Sequence, residues 1–204
     1  MEQGREIVFG VSGASGAVLA TGFLRLLAGR EDVERIHLVV SPSARRVAAD
    51  ELGWKGESEA EYLQCLAGSD RDKVVLHADE DIAAPIASGS YPTDGMVVMP
   101  CSAGTLASIA HGISRGLLQR AADVTLKERR PLVLSFREAP YSLIHLDNMR
   151  TATMAGAMVM PPSLPFYIPS PTLDRLLDAY FHRVARVIGL AVSAEYRWTG
   201  PRVR

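Results

Sequence analysis

Residues able to do chemistry fall in a recurring place in this chain, directly after short apolar runs. Ser12-Gly13-Ala14-Ser15-Gly16, Ser41 and Cys101-Ser102-Ala103-Gly104-Thr105 are small hydroxyl or glycine clusters that each open a helical pattern. Free helix N–H groups beside small side chains make an anion site, so such clusters suit a phosphate. Three of them on one sheet edge suit a phosphorylated ligand with a flat body. The plain reading of each is a strand-to-helix turn that needs glycine and a cap. Arg137-Glu138 follows another apolar run. A cation beside a carboxylate there can hold a phosphate and move a proton. Pro161 to Tyr167 is the last such segment.

Several sharper motifs are absent. The first turn spaces its glycines as Gly10, Gly13 and Gly16, which is neither a dinucleotide fingerprint nor a nucleotide-triphosphate loop. Neither Ser12 nor Ser15 sits in a hydrolase elbow. His37, His77, His111, His145 and His182 show no metal spacing. His37 lies within a strand and reads as structural. Cys101 at a strand end could be a nucleophile, but a small buried cap is the better reading. Arg120 and Lys127 lie seven residues apart and so share a helix face.

These residues need elements to position them. Strands are expected at Ile7–Val11, Ile36–Val40, Lys73–Leu76, Met96–Met99 (stopping at Pro100), Pro131–Ser135 and Met158–Met160. Helices are expected through Leu24 and Leu27, after the cap Ser41, from Ser58 to Leu66, from Ser102 to Lys127 with a break at Gly112, from Tyr141 to Ala155 and from Pro171 to Leu190. Ser58 with Glu61 has capping-box spacing. Apolar strands alternating with helices mean a mostly parallel, doubly wound sheet covered on both faces. The expected fold is thus α/β, three-layer α/β/α and Rossmann- or flavodoxin-like, with residues 1–204 as one domain. Ligands of such sheets sit at the strands' carboxyl ends near the topological switch point.

Composition narrows the class. The 204 residues are 48% hydrophobic and 22% charged, which fits a soluble globular chain. Lys and Arg number 22 against 23 Asp and Glu, which argues against a nucleic-acid binder working by bulk charge. The two cysteines give no disulfide framework. No targeting or membrane segment is legible, so a cytoplasmic location is expected.

Together, several blocks carry a family resemblance. They are Ser12 to Ala17, Ala87-Ser88-Gly89-Ser90, Pro100 to Thr105, Arg120 to Val124, Leu126 to Val133, Arg137-Glu138-Ala139-Pro140, His145 to Met149 and Phe166-Tyr167. From Ile7 to about Trp198 the chain resembles the UbiX flavin prenyltransferases, also called 3-octaprenyl-4-hydroxybenzoate carboxy-lyases. The Lys-Glu-Arg-Arg-Pro-Leu-Val and Arg-Glu-Ala-Pro blocks are specific to it.

The resemblance implies that the dimethylallyl group of dimethylallyl monophosphate is joined to N5 and C6 of reduced FMN without a metal. The product, prenylated FMN, would be delivered to a UbiD-type decarboxylase, in ubiquinone synthesis or in decarboxylation of other acids. It further implies FMN contacts at Gly13, Ala14, Ser15, Ser41, Ser102, Ala103, Gly104, Thr105 and Arg137. Dimethylallyl phosphate would meet Glu51, Ser88, Gly89, Arg120, Lys127, Glu138, Tyr167, Arg183 and Trp198. Ser15, Lys127 and Glu138 would be catalytic, with Glu138 the acid–base group. Some of these would come from neighbouring subunits of a homo-oligomer, expected to be a dodecamer.

Two other functions compete. A flavin-dependent (phosphopantothenoyl)cysteine decarboxylase shares the Pro-x-Ser-Ala pattern seen at Pro100 to Ala103. That relative needs asparagine where Gly104 stands, a catalytic histidine after an early helix and a Pro-x-Met-Asn motif, and these are missing. A non-enzymatic flavin carrier would have no need of Glu138, Lys127 and Tyr167.

Overall fold

The computed structural model describes residues 4–55, 58–68, 72–168 and 171–192. Six strands form one sheet: β1 (Arg5–Val11), β2 (Val33–Val40), β3 (Val74–His77), β4 (Gly95–Cys101), β5 (Leu132–Phe136) and β6 (Met158–Val159). Their order is β3-β2-β1-β4-β5-β6 and every pairing is parallel. The chain winds outward from β1 in one direction and from β4 in the other. A switch point therefore opens between the carboxyl ends of those two strands.

Helices α1 (Ala17–Ala28), α2 (Pro42–Leu52), α3 (Glu59–Ala67) and α7 (Leu173–Val187) cover one face. Helices α4 (Ala103–Ala110), α5 (Leu117–Lys127) and α6 (Leu143–Met154) cover the other. The period of two along the strands assigns the faces. Ile7, Phe9 and Val11 of β1 point into the first layer, and Val8 points into the second. Helix α7 shows the complementary period, burying Leu177, Tyr180, Phe181 and Val184 along one stripe. None of the described helices is long and apolar enough to cross a membrane.

The expected elements are all present, with their ends displaced by a few residues. Strand β4 does not stop at Pro100 but runs through it to Cys101, across a cis Met99–Pro100 peptide. Proline lacks an N–H, yet its carbonyl still accepts from the Ser12 amide at 3.2 Å and the Ser12 hydroxyl at 3.0 Å. The helix expected from Ser102 to Lys127 is two helices. The interruption spans residues 111–116, with Gly112 at φ 65°. Caps foreseen at Ser41 and Ser58 are formed: each hydroxyl accepts an amide three residues on, at 3.2 Å.

One polar junction ties β5, the segment after β6 and α7 together. Tyr180 donates its hydroxyl to the Met160 carbonyl at 2.7 Å, and Ser135 Oγ lies 2.7 Å from the same phenol oxygen. Removing that oxygen leaves two buried partners unsatisfied. Tyr180→Phe is expected to cost about 1–3 kcal/mol in chemical denaturation.

Candidate functional site

The crevice between β1 and β4 is built on a buried serine. Ser12 Oγ donates to the Pro100 carbonyl and accepts from the Ser102 amide at 2.8 Å. It locks the β1–α1 turn to the β4–α4 turn. Only its place at a strand end signals this role in the sequence.

Around it stand three helix starts. At α1 the left-handed Gly16, φ 119°, serves as N-cap without a side chain of its own. Glu51, from the last turn of α2, supplies the missing cap. Its carboxylate accepts from the Gly16 amide at 2.9 Å and the Ala17 amide at 2.7 Å, and the Ser15 hydroxyl bonds it as well. The anion slot at the start of α1 is thus filled by the protein's own carboxylate. At α2, Ser41 caps and lies 3.1 Å from Ser43 Oγ. A Cβ on Gly13 would fall 2.4 Å from Ser43 Oγ, so these two turns touch. At α4, Ser102 accepts from the Thr105 amide at 3.4 Å and donates to Thr105 Oγ1 at 3.1 Å. A Cβ on Gly104 would meet nothing within 4 Å. The α4 start is therefore open where the α1 start is closed.

Arg137, just past β5, donates its amide to the Cys101 carbonyl at 3.1 Å. Its side chain runs past Gly16, and its charge acts on Glu51. Glu138 is exposed on the same edge, its carboxylate accepting from the Ala139 amide at 3.0 Å. Burial acts to raise the Glu51 carboxyl. The bonds from Ser15, Ala17 and Gly16 and the Arg137 charge outweigh it, holding Glu51 below the ordinary value of 4.5. Cys101 is fully buried and its thiol is pushed strongly up, so it is no nucleophile.

Ser88, Gly89, Arg120 and Lys127 lie elsewhere. Because α5 runs antiparallel to the strands, Leu117 sits at the carboxyl edge, bonded to the Asp79 carbonyl just past β3. The 11 residues of α5 carry Lys127 ~16 Å down to the amino edge. The segment leading into β4 follows the helix down. Arg120 Nε donates to the Ala87 carbonyl at 3.1 Å, and Gly89 lies against Lys127 and Glu128, which are paired with each other. The chain therefore brings together Gly13, Ser15, Ser41, Glu51, Ser102, Gly104 and Arg137 in one group. Ser88, Gly89 and Lys127 form another at the opposite edge, and Arg120, one turn into α5, lies between the two.

Tyr167 lies past β6 on the carboxyl edge and Arg183 is exposed on α7; Trp198 is outside the described residues. The loops and helix on this edge leave Leu143, Ile144, Phe166 and Tyr167 exposed. Sequence reasoning did not single out Ser43, whose signal is the Ser-Pro-Ser run at a helix start.

Glu51 gives this site an acid-sensitive element. A carboxyl held low in the folded state stabilises it above the ordinary value, and that stability is lost as pH falls through the depressed one. Glu51→Gln should therefore lower the denaturation midpoint near neutral pH. The gap from the unaltered protein should close on acidification below pH 4.5.

Comparisons with known proteins agree with this geometry. The Flavoprotein family matches residues 1–171. The flavin prenyltransferase UbiX of Deinococcus radiodurans is 48% identical over 94% of this chain and 92% of its own length. A UbiX crystal structure in complex with FMN and dimethylallyl pyrophosphate superposes with a TM-score of 0.83 at 39% identity, covering 98% of this chain and all of that one (100%). A dodecameric FMN-dependent Ubix-like decarboxylase from Escherichia coli superposes at 0.82 with 39% identity, over 96% of this chain and 100% of that one. With its switch-point crevice intact, the chain belongs to the UbiX flavin prenyltransferase family.

Proposed function

We propose that this enzyme joins the dimethylallyl group of dimethylallyl monophosphate to N5 and C6 of reduced FMN, making prenylated FMN for a UbiD-type decarboxylase. Relatives named flavin prenyltransferase and a neighbour holding FMN with dimethylallyl pyrophosphate support the reading. The observation that carries it is the open α4 start at Gly104, on a turn that Ser12 locks to the β1–α1 turn where Ser15, Glu51 and Arg137 meet.

The residues present fit a flavin mononucleotide. Ser41, Ser102, Ala103, Gly104 and Thr105 present hydroxyls, amides and an uncrowded glycine for the phosphate and ribityl chain. Gly13, Ala14 and Ser15 would line the flat ring, and Arg137 would supply a fixed positive charge beside it. Reduced FMN supplies the nucleophilic N5 and C6 that take up the five-carbon group as its C–O bond to phosphate breaks.

The protein's own groups do the rest. Arg120 and Lys127 hold the leaving phosphate and balance its charge, the role a divalent cation plays elsewhere. Glu138 gives a proton to the departing phosphate or takes one from the flavin edge. Ser15, bonded to Glu51, is placed to pass a proton to that carboxylate. Tyr167, Arg183 and Trp198 complete the prenyl site.

The crevice residues and the Ser88, Gly89 and Lys127 group stand on opposite edges of one sheet, so in this reading the site closes between copies of the chain. Arg120, Lys127, Ser88 and Gly89 of one subunit meet the crevice of another in a homo-oligomer, with the exposed Leu143, Ile144 and Phe166 covered there. The dodecameric neighbour supports such an assembly. We further propose a cytoplasmic, metal-independent enzyme.

Incubating the protein anaerobically with reduced FMN and dimethylallyl monophosphate should add one dimethylallyl unit to the flavin, read by mass analysis. The pyrophosphate is run beside it to settle the donor. Bound flavin with no mass gain, or CO₂ released from a cysteine conjugate, would overturn the reading. Glu138→Gln should keep FMN bound and lose about 10²–10⁴ in rate. Gly104→Leu should leave the melting temperature near that of the unaltered protein, since no atom lies within 4 Å, and abolish flavin binding.

A further inference from the structure

Arg130 is half-buried and closes the Lys-Glu-Arg-Arg motif, but no role has yet fallen to it. Its neighbour Arg129 has φ 59°, unique among the described non-glycine residues, and turns the chain off the end of α5. Arg130 then reaches back across the amino edge. One terminal nitrogen donates to the Gly89 carbonyl at 2.9 Å. The other donates to the Tyr91 carbonyl at 2.9 Å and to Thr93 Oγ1 at 3.1 Å. One guanidinium therefore gathers three acceptors spread over five residues. A planar fork serves them from two separated nitrogens, where an ammonium has only one.

The same loop is fastened from its other side. The Tyr91 hydroxyl donates to Glu6 Oε2 at 2.5 Å. That oxygen also lies 2.9 Å from His37 Nε2, and His37 Nδ1 faces His77 Nε2 at 2.9 Å. Glu6 and His37 stand on β1 and β2, so the knot is rooted in the sheet itself. Between the two fastenings the tip Ser88-Gly89-Ser90 is held with its two hydroxyls 2.9 Å apart. Gly89 is pressed so close to Lys127 that any Cβ would displace the ammonium.

We infer that Arg130 is a positioning residue for the prenyl-phosphate half of the site. It acts through the Ser88–Tyr91 loop, setting where Ser88 and Gly89 stand relative to Lys127, and touches no substrate itself. The inference rests on the proposed prenyl transfer, and it assigns the Glu6–Tyr91 knot to the same task. It commits to a selective effect. The flavin crevice lies at the other edge of the sheet and should not sense the change.

The test compares Arg130→Lys, Arg130→Gln and Tyr91→Phe with the unaltered protein in the anaerobic assay. KM for dimethylallyl monophosphate, kcat, FMN affinity and melting temperature are each measured. The expected result is a KM at least ~10-fold higher in both Arg130 variants, the scale of losing one or two charge-assisted bonds. FMN affinity should stay within twofold. Lysine should do no better than glutamine, because geometry and not charge is lost. Tyr91→Phe, which keeps every carbonyl Arg130 holds, should raise KM by a smaller factor in the same direction. Unchanged KM in the variants, or FMN affinity and KM weakened together by the same factor, would overturn the inference. So would full rescue by lysine. Should the Arg130 variants not fold, Tyr91→Phe decides by the same KM criterion. An unaltered protein that makes no prenylated flavin would instead sink the prenyl-transfer reading.

Discussion

An all-parallel sheet sends every strand-to-helix turn to one edge and every helix-to-strand turn to the other. That constraint governs this protein. The serine and glycine turns after β1, β2 and β4, with Arg137 and Glu138 after β5, are strand exits and so share the carboxyl edge. Ser88, Gly89 and Lys127 belong to the approaches to β4 and β5 and so fall at the amino edge. One helix length separates two groups that the chemistry needs together. Assembly of several copies resolves this within the proposed function, and the apolar side chains left exposed beside the crevice fit such an assembly.

Electrostatics sharpen the picture at the carboxyl edge. Of the three helix starts, α1 is occupied by Glu51, so its amides are not free for a phosphate. The α2 and α4 starts carry only serine hydroxyls at their caps. In the proposed reading a phosphorylated ligand therefore has a preferred end, at the α2 and α4 starts. Glu51 gains a second meaning. It balances the α1 dipole and Arg137 at once, and it takes the Ser15 hydroxyl as donor.

Much of this was legible in the sequence. Continuous apolar strands gave the covered parallel sheet, and the capping serines Ser41, Ser58 and Ser102 stand where their types foretell. Pro100 misled, because a proline usually ends a strand, while here its carbonyl remains an acceptor for Ser12. The site was less legible. The resemblance named Glu51 and Lys127, yet local pattern could not say that Glu51 folds back onto α1 or that Gly89 packs against Lys127. Both depend on contacts more than thirty residues apart in sequence. Arg130 was invisible for the same reason. Its partners at 89, 91 and 93 are set by the path of a loop.

Sharing of the site between subunits can be tested most directly by complementation. Glu138→Gln and Lys127→Met subunits are each prepared alone and also co-expressed to form mixed oligomers, and prenylated FMN is measured at equal flavin loading. Each variant alone should be nearly inactive. Mixed oligomers should recover part of the turnover, most at equal mixing, because sites drawing an intact Glu138 from one copy and an intact Lys127 from another reappear. Mixed oligomers that bind flavin and stay as inactive as either parent would contradict a site shared between copies.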